Sequence, residues 1–317
     1  MERPFNSGLA LGNFLTLIGT MNILITGGTG LIGRRFINTV SGHQYTVLTR
    51  SPEQAKKNLP ASVRLISSLT ELTTLDIFDA VINLAGEPII DKRWTKKQKA
   101  VISNSRWDIT RQLVDLFRAS SEPPAVFLSG SAIGVYGDQG DVMVDETFSS
   151  LPDDFAAQLC ARWEAIAQEA ASYTRVVCLR TGIVLDAQAG ALAKMLLPFK
   201  LGLGGPVAKG EQFMSWIHID DMVRAIDFLM MQSQCSGAYN LVAPEPVRNR
   251  DFTQALAEQL KIWALLPAPK KLLQALLGES SALLLDSQRV VPKRLLEQKF
   301  IFSFAEINSA LKNLLKK

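Results

Sequence analysis

The stretch Thr26-Gly27-Gly28-Thr29-Gly30-Leu31-Ile32-Gly33 carries the densest chemical signal in the chain. Gly28, Gly30 and Gly33 fit G-x-G-x-x-G, while Gly27, Gly30 and Gly33 fit G-x-x-G-x-x-G. Glycines at such spacings remove Cβ atoms where a backbone turns sharply and where it approaches a pyrophosphate. An apolar run, Asn22-Ile23-Leu24-Ile25, precedes them, and a helical pattern follows. The turn therefore opens onto a helix N-terminus, whose free N–H groups and positive dipole end favour an anion. A glycine pattern alone also marks ordinary turns. The flanking strand and a second strand, Tyr45 to Thr49, at βαβ distance favour a dinucleotide site. Its pyrophosphate is expected on Gly27, Thr29, Gly30, Leu31 and Ile32.

Other groups with chemical potential sit at the ends of further apolar runs. Arg50 closes the second run, where an acidic residue would bind a ribose 2′-hydroxyl and an arginine suits a 2′-phosphate. No Asp or Glu stands at that strand end. Leu84, Ala85 and Gly86 end a fourth strand in mostly small residues that let a cofactor lie close, and Glu87 follows directly. Ser131 lies just beyond a fifth strand, and Cys160 lies on a helix with Trp163 and Glu164. Ligands of open α/β sheets bind at the carboxyl ends of the strands, so Ser131, Glu87 and Cys160 are expected to line one cleft beside Gly86 and Arg180. Desolvation would make Glu87 a proton donor, and a nearby charge would make Cys160 an acid or nucleophile. His218, flanked by isoleucines, reads as a hydrogen-bonded structural group rather than a base.

Around these residues the pattern alternates strands and helices. Strands are expected at 63–67, 80–86, 125–128 and 176–180, and helices at about 96–119 and 153–171. Asp220 and Asp221 look like the N-cap and first turn of a helix reaching about Met231. The expected fold is α/β, a doubly wound parallel sheet with a small, mostly helical C-terminal substrate lobe. The sheet domain spans 21–243. From Pro244 the prolines divide short helical pieces, and 244–317 forms the lobe.

Composition narrows the classes. Charged residues make up 20% of the chain and the net charge is +4, with no basic run interleaved with aromatics, so nucleic acid is not an expected partner. Cys160, Cys178 and Cys235 are widely spaced and odd in number, which fits a reducing cytoplasm and no disulfide framework. With only two histidines, His43 and His218, no metal site is expected. The apolar runs are shorter than the roughly 20 residues a membrane span needs, and no membrane partner is expected. Residues 1–20 read as an extension outside the fold, since the first strand begins just after Met21.

Taken together, the motifs resemble the extended short-chain dehydrogenase/reductases, and more closely the atypical group labelled epimerase family protein. The carrying segments are Thr26 to Gly33, Asn83 to Ile89, Arg93-Trp94-Thr95, Ser105-Arg106, Ser129 to Gly137, Leu159-Cys160 with Trp163-Glu164, Phe199 to Gly205, Ser215 to Asp221, Ala243-Pro244 and Gln288 to Val290. The resemblance covers nearly everything from Met21 onward. It implies a Rossmann fold, bound NADP(H), Arg106, near the position of the long helix's asparagine, among the cofactor-binding residues, and Ser131 on the usual serine position. It also exposes a departure. Typical members use Tyr-x-x-x-Lys, and no such pair exists here. With Glu164 aligned, Ala156 falls at the tyrosine position and Cys160 at the lysine position.

Two functions are compatible with these residues. One is an NADP(H)-dependent oxidoreductase or epimerase with a substitute acid and a small-molecule substrate, for which sugar nucleotides are the analogy of the class. The other is an NADPH-binding regulatory or interaction protein that has lost chemistry. Oligomeric state, a homodimer included, is left open. Cofactor choice is the sharpest expectation. Charge-assisted hydrogen bonds contribute roughly 1.5–3 kcal/mol each, reduced by exposure, so Arg50 should favour NADPH over NADH by about 10- to 100-fold. Arg50→Ala should weaken NADPH binding strongly and leave NADH nearly unchanged in fluorescence titrations. Equal affinities in the unmodified protein would sink the assignment.

Overall fold

A computed structural model describes residues 19–150, 152–264 and 266–316. The expectation for residues 1–20 therefore lies outside the described residues, apart from Gly19 and Thr20.

Seven parallel strands form the central sheet: β1 (Asn22–Thr26), β2 (Gln44–Leu48), β3 (Arg64–Ile66), β4 (Ala80–Asn83), β5 (Val126–Ala132), β6 (Arg175–Thr181) and β7 (Gly237–Leu241). Their order is β7-β6-β5-β4-β1-β2-β3. This is the doubly wound arrangement, and its direction reverses between β1 and β4. The strands alternate faces, as period-2 geometry requires. Ile23 and Ile25 pack with Phe36 and Ile37 of α1 (Leu31–Thr39) on one side. Leu24 packs on the other with Leu113 and Phe117 of α2 (Lys96–Ala119) and Ile166 of α3 (Phe155–Gln168). Sheet residues covered on both faces read as continuous apolar runs, which is why these strands were legible.

The other helices of at least eight residues are α4 (Gly190–Lys200), α5 (Ile219–Met231), α6 (Asn249–Leu260), α7 (Lys270–Leu277) and α8 (Ile307–Leu314). The lobe core draws on two stretches of chain. Leu192, Leu196 and Phe199 of α4 and Trp216 pack with Phe252 and Leu256 of α6 and with Ala310 and Leu311 of α8. Arg289 and Val290 then return to pair in parallel with Met143 and Val144 beside the sheet domain.

Two local expectations are corrected. Strand β5 runs through Ser129, Gly130 and Ser131 to Ala132, so Ser131 is a strand residue and pairs in register with Arg180 of β6. The N-cap of α5 is His218, not an aspartate: His218 Nδ1 accepts the Asp220 N–H at 3.0 Å. Asp221 is fully buried instead. Its carboxylate accepts the backbone N–H groups of Ser303 (2.9 Å) and Phe304 (2.8 Å), tying the C-terminal segment to α5.

His218 is the structural group its apolar neighbours suggest. Its ring stacks on Phe304 with centroids 3.8 Å apart, and Nε2 meets Asn313 Oδ1 at 3.2 Å. Burial lowers its pKa below the ordinary 6.5, against the opposing pull of Asp220. The unfolded chain thus takes up a proton at a pH where the folded chain stays neutral. Stability contributed at this site is present above pH 6.5 and is lost as pH falls towards the lowered folded pKa. His218→Asn keeps a capping oxygen and should flatten the fall in urea midpoint between about pH 7 and pH 5. An unchanged slope would remove His218 as its source.

Candidate active site at the switch point

The glycine turn is shaped by close approach. Gly27 has φ +70°, and a Cβ there would lie 2.6 Å from the Leu84 carbonyl carbon. A Cβ at Gly33 would lie 2.6 Å from Gly27 O, so α1 packs directly on the turn. Gly28 is pressed against Val47 of β2. Gly30 differs: it is exposed, and its Cβ position meets nothing nearer than Gly27 O at 3.2 Å. Gly30 is also the N-cap of α1, which carries no side-chain cap and no acidic residue in its first turn. The first N–H groups of α1 are thus left without a side-chain partner at the open side of the turn. That cradle fits a pyrophosphate on Thr29, Gly30, Leu31 and Ile32. Arg50 is exposed just past β2 and forms no ion pair among the described residues, as a 2′-phosphate ligand requires.

A buried polar network fixes the floor of this cradle. Thr26 Oγ1 donates to Asn83 Oδ1 at 2.6 Å, and Ala85 N–H donates to Thr26 Oγ1 at 3.3 Å. Asn83 Nδ2 donates to Thr110 Oγ1 at 2.8 Å, which also receives the Trp163 indole N–H at 2.9 Å. Leu84, Ala85 and Gly86 leave β4 from this anchor. A Cβ at Gly86 would lie 2.8 Å from the Arg106 guanidinium carbon. Arg106 donates to Glu87 O and Ile102 O, both at 3.1 Å, and lies over the Trp163 ring at 5.4 Å. Arg106 thus ties the backbone after Gly86 to α2.

At the substrate end, Ser131 Oγ donates to Glu164 Oε1 at 2.6 Å. Arg180 grips the same carboxylate with two hydrogen bonds of 2.8 Å and donates a third, also 2.8 Å, to the Tyr136 hydroxyl. Tyr136 in turn donates to Asn240 Oδ1 at 2.8 Å. Burial alone would lower the Arg180 pKa; the Glu164 carboxylate and the Tyr136 hydroxyl raise it instead. Burial raises the Tyr136 pKa, with Arg180 pulling against it. Tyr136 and Tyr239 are buried, Tyr45 donates to Val40 O, and Tyr173 follows α3 on the way to the start of β6, away from the strand carboxyl ends.

Cys160 is a correction. Its thiol sits among Ile133, Val135 and Tyr136, and burial, with Glu164, pushes its pKa up to about 12 despite Arg106 and Arg180. Burial thus works against the thiolate that a nucleophile or acid role would need. Glu87 pairs with Lys92 of its own loop at 3.2 Å, and Arg106 touches its backbone carbonyl rather than its carboxylate. Of the three candidate catalytic residues, Ser131 is the one held in an acid–base constellation. The Glu164–Arg180 pairing was missed because it depends on the β5–β6 register. The signal for it was Glu164 one turn beyond Cys160, on the helix expected to face the cofactor. A separate cleft of about 960 Å³ is lined by Asp138, Gln212, Arg248 and Lys270, and its lining includes neither the glycine turn nor Ser131.

A parallel sheet in this order, with a glycine turn at its switch point and an uncapped helix start, defines a dinucleotide-binding protein of the Rossmann class. The chain belongs to the NAD dependent epimerase/dehydratase family, whose pattern matches residues 23–241. Residues 268–314 match a domain of unknown function, DUF1731. Epimerase family protein SA0724 of Staphylococcus aureus is 35% identical over 300 residues, 92% of this chain and 98% of that protein. The crystal structure of human epimerase family protein SDR39U1 (isoform 2) with NADPH superposes with a TM-score of 0.85 at 33% identity, covering 93% of this chain and 99% of that one. A nucleoside-diphosphate sugar epimerase from Corynebacterium glutamicum gives 0.74 at 30% identity, covering 94% of this chain and 58% of that one. The family includes epimerases and dehydratases.

All three cysteines are buried and free. Burial also pushes the Cys178 thiol up to about 12. A thiol-specific disulfide reagent at mildly alkaline pH should therefore modify none of them in the folded protein and all three in denaturant. Rapid modification of Cys160 in the folded protein would restore it as a candidate nucleophile.

Proposed function

We propose that this chain binds NADP(H) along the glycine turn and acts as an oxidoreductase or epimerase on a small molecule whose reacting oxygen is held by Ser131. The observation that carries this reading is the Ser131–Glu164–Arg180 constellation, at the strand ends where the substrate of such a fold meets the cofactor. The glycine cradle, the exposed Arg50 and the NADPH in the human relative's structure support the cofactor. Three buried free thiols fit a reducing compartment such as the cytoplasm.

When bound, the nicotinamide supplies or takes the hydride. Ser131 keeps an acceptor lone pair while donating to Glu164. A substrate hydroxyl donates into that lone pair, and the Ser131 proton moves to Glu164 Oε1 as the substrate proton replaces it. In the reductive direction Glu164 returns the proton through Ser131 to the substrate oxygen. Arg180 holds both carboxylate oxygens, so Glu164 cannot rotate away from Ser131. The reaction thus needs neither the tyrosine nor the lysine of the typical class.

One observation favours a second reading, a cofactor-binding regulatory protein with reduced chemistry. Ser131 is only 5% exposed, and the polar groups around it satisfy one another. The test is incubation with a metabolite extract and NADPH, followed by mass spectrometry for a reduced or epimerised product. Ser131→Ala and Glu164→Gln should each lower product formation by about 100-fold or more while NADPH titrations stay unchanged. Product formation that survives both variants would remove the relay; no product from any fraction would favour the second reading.

A further inference from the structure

The motif Gln288-Arg289-Val290 has no part in the chemistry at Ser131, and it lies in the stretch matched to the domain of unknown function. Its surroundings start from an edge. Strand β7 ends the sheet, so one side of its backbone lacks a neighbouring strand. Glu146 and the C-terminal segment supply the partners. The Asn240 N–H donates to Glu146 Oε1 at 2.9 Å, and Glu146 Oε2 accepts the Arg294 N–H at 3.3 Å. The Arg294 guanidinium donates to Ala238 O and Ser236 O, both at 2.7 Å. The same segment holds the Ile133–Tyr136 turn. The side-chain amide of Gln288 donates to Ile133 O and to Gly137 O, both at 3.2 Å, and so grips the turn at each end.

The side chain of Asn240 joins this segment to the site. It is fully buried; its Nδ2 donates to Val291 O at 3.0 Å, and its Oδ1 accepts the Tyr136 hydroxyl at 2.8 Å. A backbone carbonyl only accepts, so the amide nitrogen must face Val291 and the amide oxygen must face Tyr136. Tyr136 then spends its one proton on Asn240 and meets Arg180 as an acceptor. Arg180 has only donors, and it turns two more of them on Glu164, which also accepts from Ser131. From Val291 to Ser131 each link thus has one possible direction. With the Asn240 amide reversed, two N–H donors would face the Tyr136 oxygen, and the tyrosine's own proton would be left unpaired in a buried site.

We propose that the 288–294 segment is a positioning element of the Ser131 site. Gln288 and Asn240 are positioning residues that act through Tyr136 and Arg180 to aim Glu164 at Ser131. The domain of unknown function thereby has a part in the site. Its use in turnover rests on the reading of Ser131 and Glu164 as the reacting pair; the aiming itself does not, and it is measured without turnover.

The test uses the full chain with bound NADPH and reads both ends of this series of bonds by NMR. Four tyrosines give four Cζ signals in protein isotope-labelled at that carbon, and Tyr136→Phe assigns the one from Tyr136. Arg180→Lys likewise assigns the Arg180 Nε–H signal, which reports the contact with Glu164. Gln288→Met and Asn240→Leu should each shift both signals and leave the Tyr45 and Tyr173 signals and the NADPH titration unchanged. Gln288 is half-buried, so Gln288→Met carries the test where Asn240→Leu fails to fold. In the metabolite assay both variants should lower product formation by about tenfold or more. A Tyr136 signal that neither variant moves would overturn the proposal. So would a Tyr136 shift that leaves the Arg180 signal in place, since the coupling would then end at the turn. Product lost in Ser131→Ala but kept in Gln288→Met would overturn the positioning role alone. Product that survives Ser131→Ala while both signals shift would remove the reacting pair and support the aiming. Where no fraction gives product, the two signals decide the proposal.

Discussion

The geometry of the site depends on the side-chain amide of Asn83. It is fully buried at the end of β4 and joins β1 through Thr26 and α2 through Thr110. Thr110 passes the constraint to α3 by receiving the Trp163 indole N–H. A buried polar group left unpaired costs about 1–3 kcal/mol, so each of these partners resists moving alone. The strand ends that form the cofactor bed, and the helix that carries Glu164, are therefore held in one frame. Gly130 shows how tight that frame is, since a Cβ there would lie 2.7 Å from the Trp163 ring. The serine that follows it in β5 is thereby pinned against the same helix.

A second constraint is the ion pair between Glu164 and Arg180. Their side chains are each only 13% exposed. Removing two charges from water costs several kcal/mol per ion, which mutual attraction offsets only with good geometry and satisfied hydrogen bonds. Here the pairing is bidentate, and the spare donors and acceptors are used by Tyr136 and Ser131. Such a pair adds little net stability but fixes orientation. Its value is positional: it presents one carboxylate oxygen to Ser131 and keeps the other occupied.

Much of this was legible from residue patterns. The parallel strands are apolar runs, the glycine turn has two overlapping spacings, and α2 begins and ends at the residues its pattern marks, Lys96 and Ala119. What was not legible depends on contacts between distant residues. Ser131 reads as loop because Gly130 and the flanking serines lack strand propensity, yet ladder pairing with Arg180 carries β5 through them. Cys160 reads as a candidate nucleophile because its neighbours in sequence do not show which face of α3 is buried. The capping role of His218 was hidden by two aspartates, which are better caps by type, one of which is spent on the C-terminal segment.

The loss of the tyrosine–lysine pair is not an isolated change of two residues. A Cβ at Gly134 would lie 3.5 Å from Ala156 Cβ and 3.9 Å from Cys160 Sγ, so the Ile133–Tyr136 turn rests on those two positions. Cys160 is buried beneath the turn, so a lysine there would need added volume, whereas Ala156 is only half-buried. Cores packed at this density tolerate added atoms only by shifting backbone, at about 1–3 kcal/mol. A lysine at 160 would therefore press on the turn that delivers Tyr136 to Arg180 and Asn240. The serine–carboxylate contact and the turn are thus built on the same helix, α3, which carries Cys160 and Glu164 one turn apart.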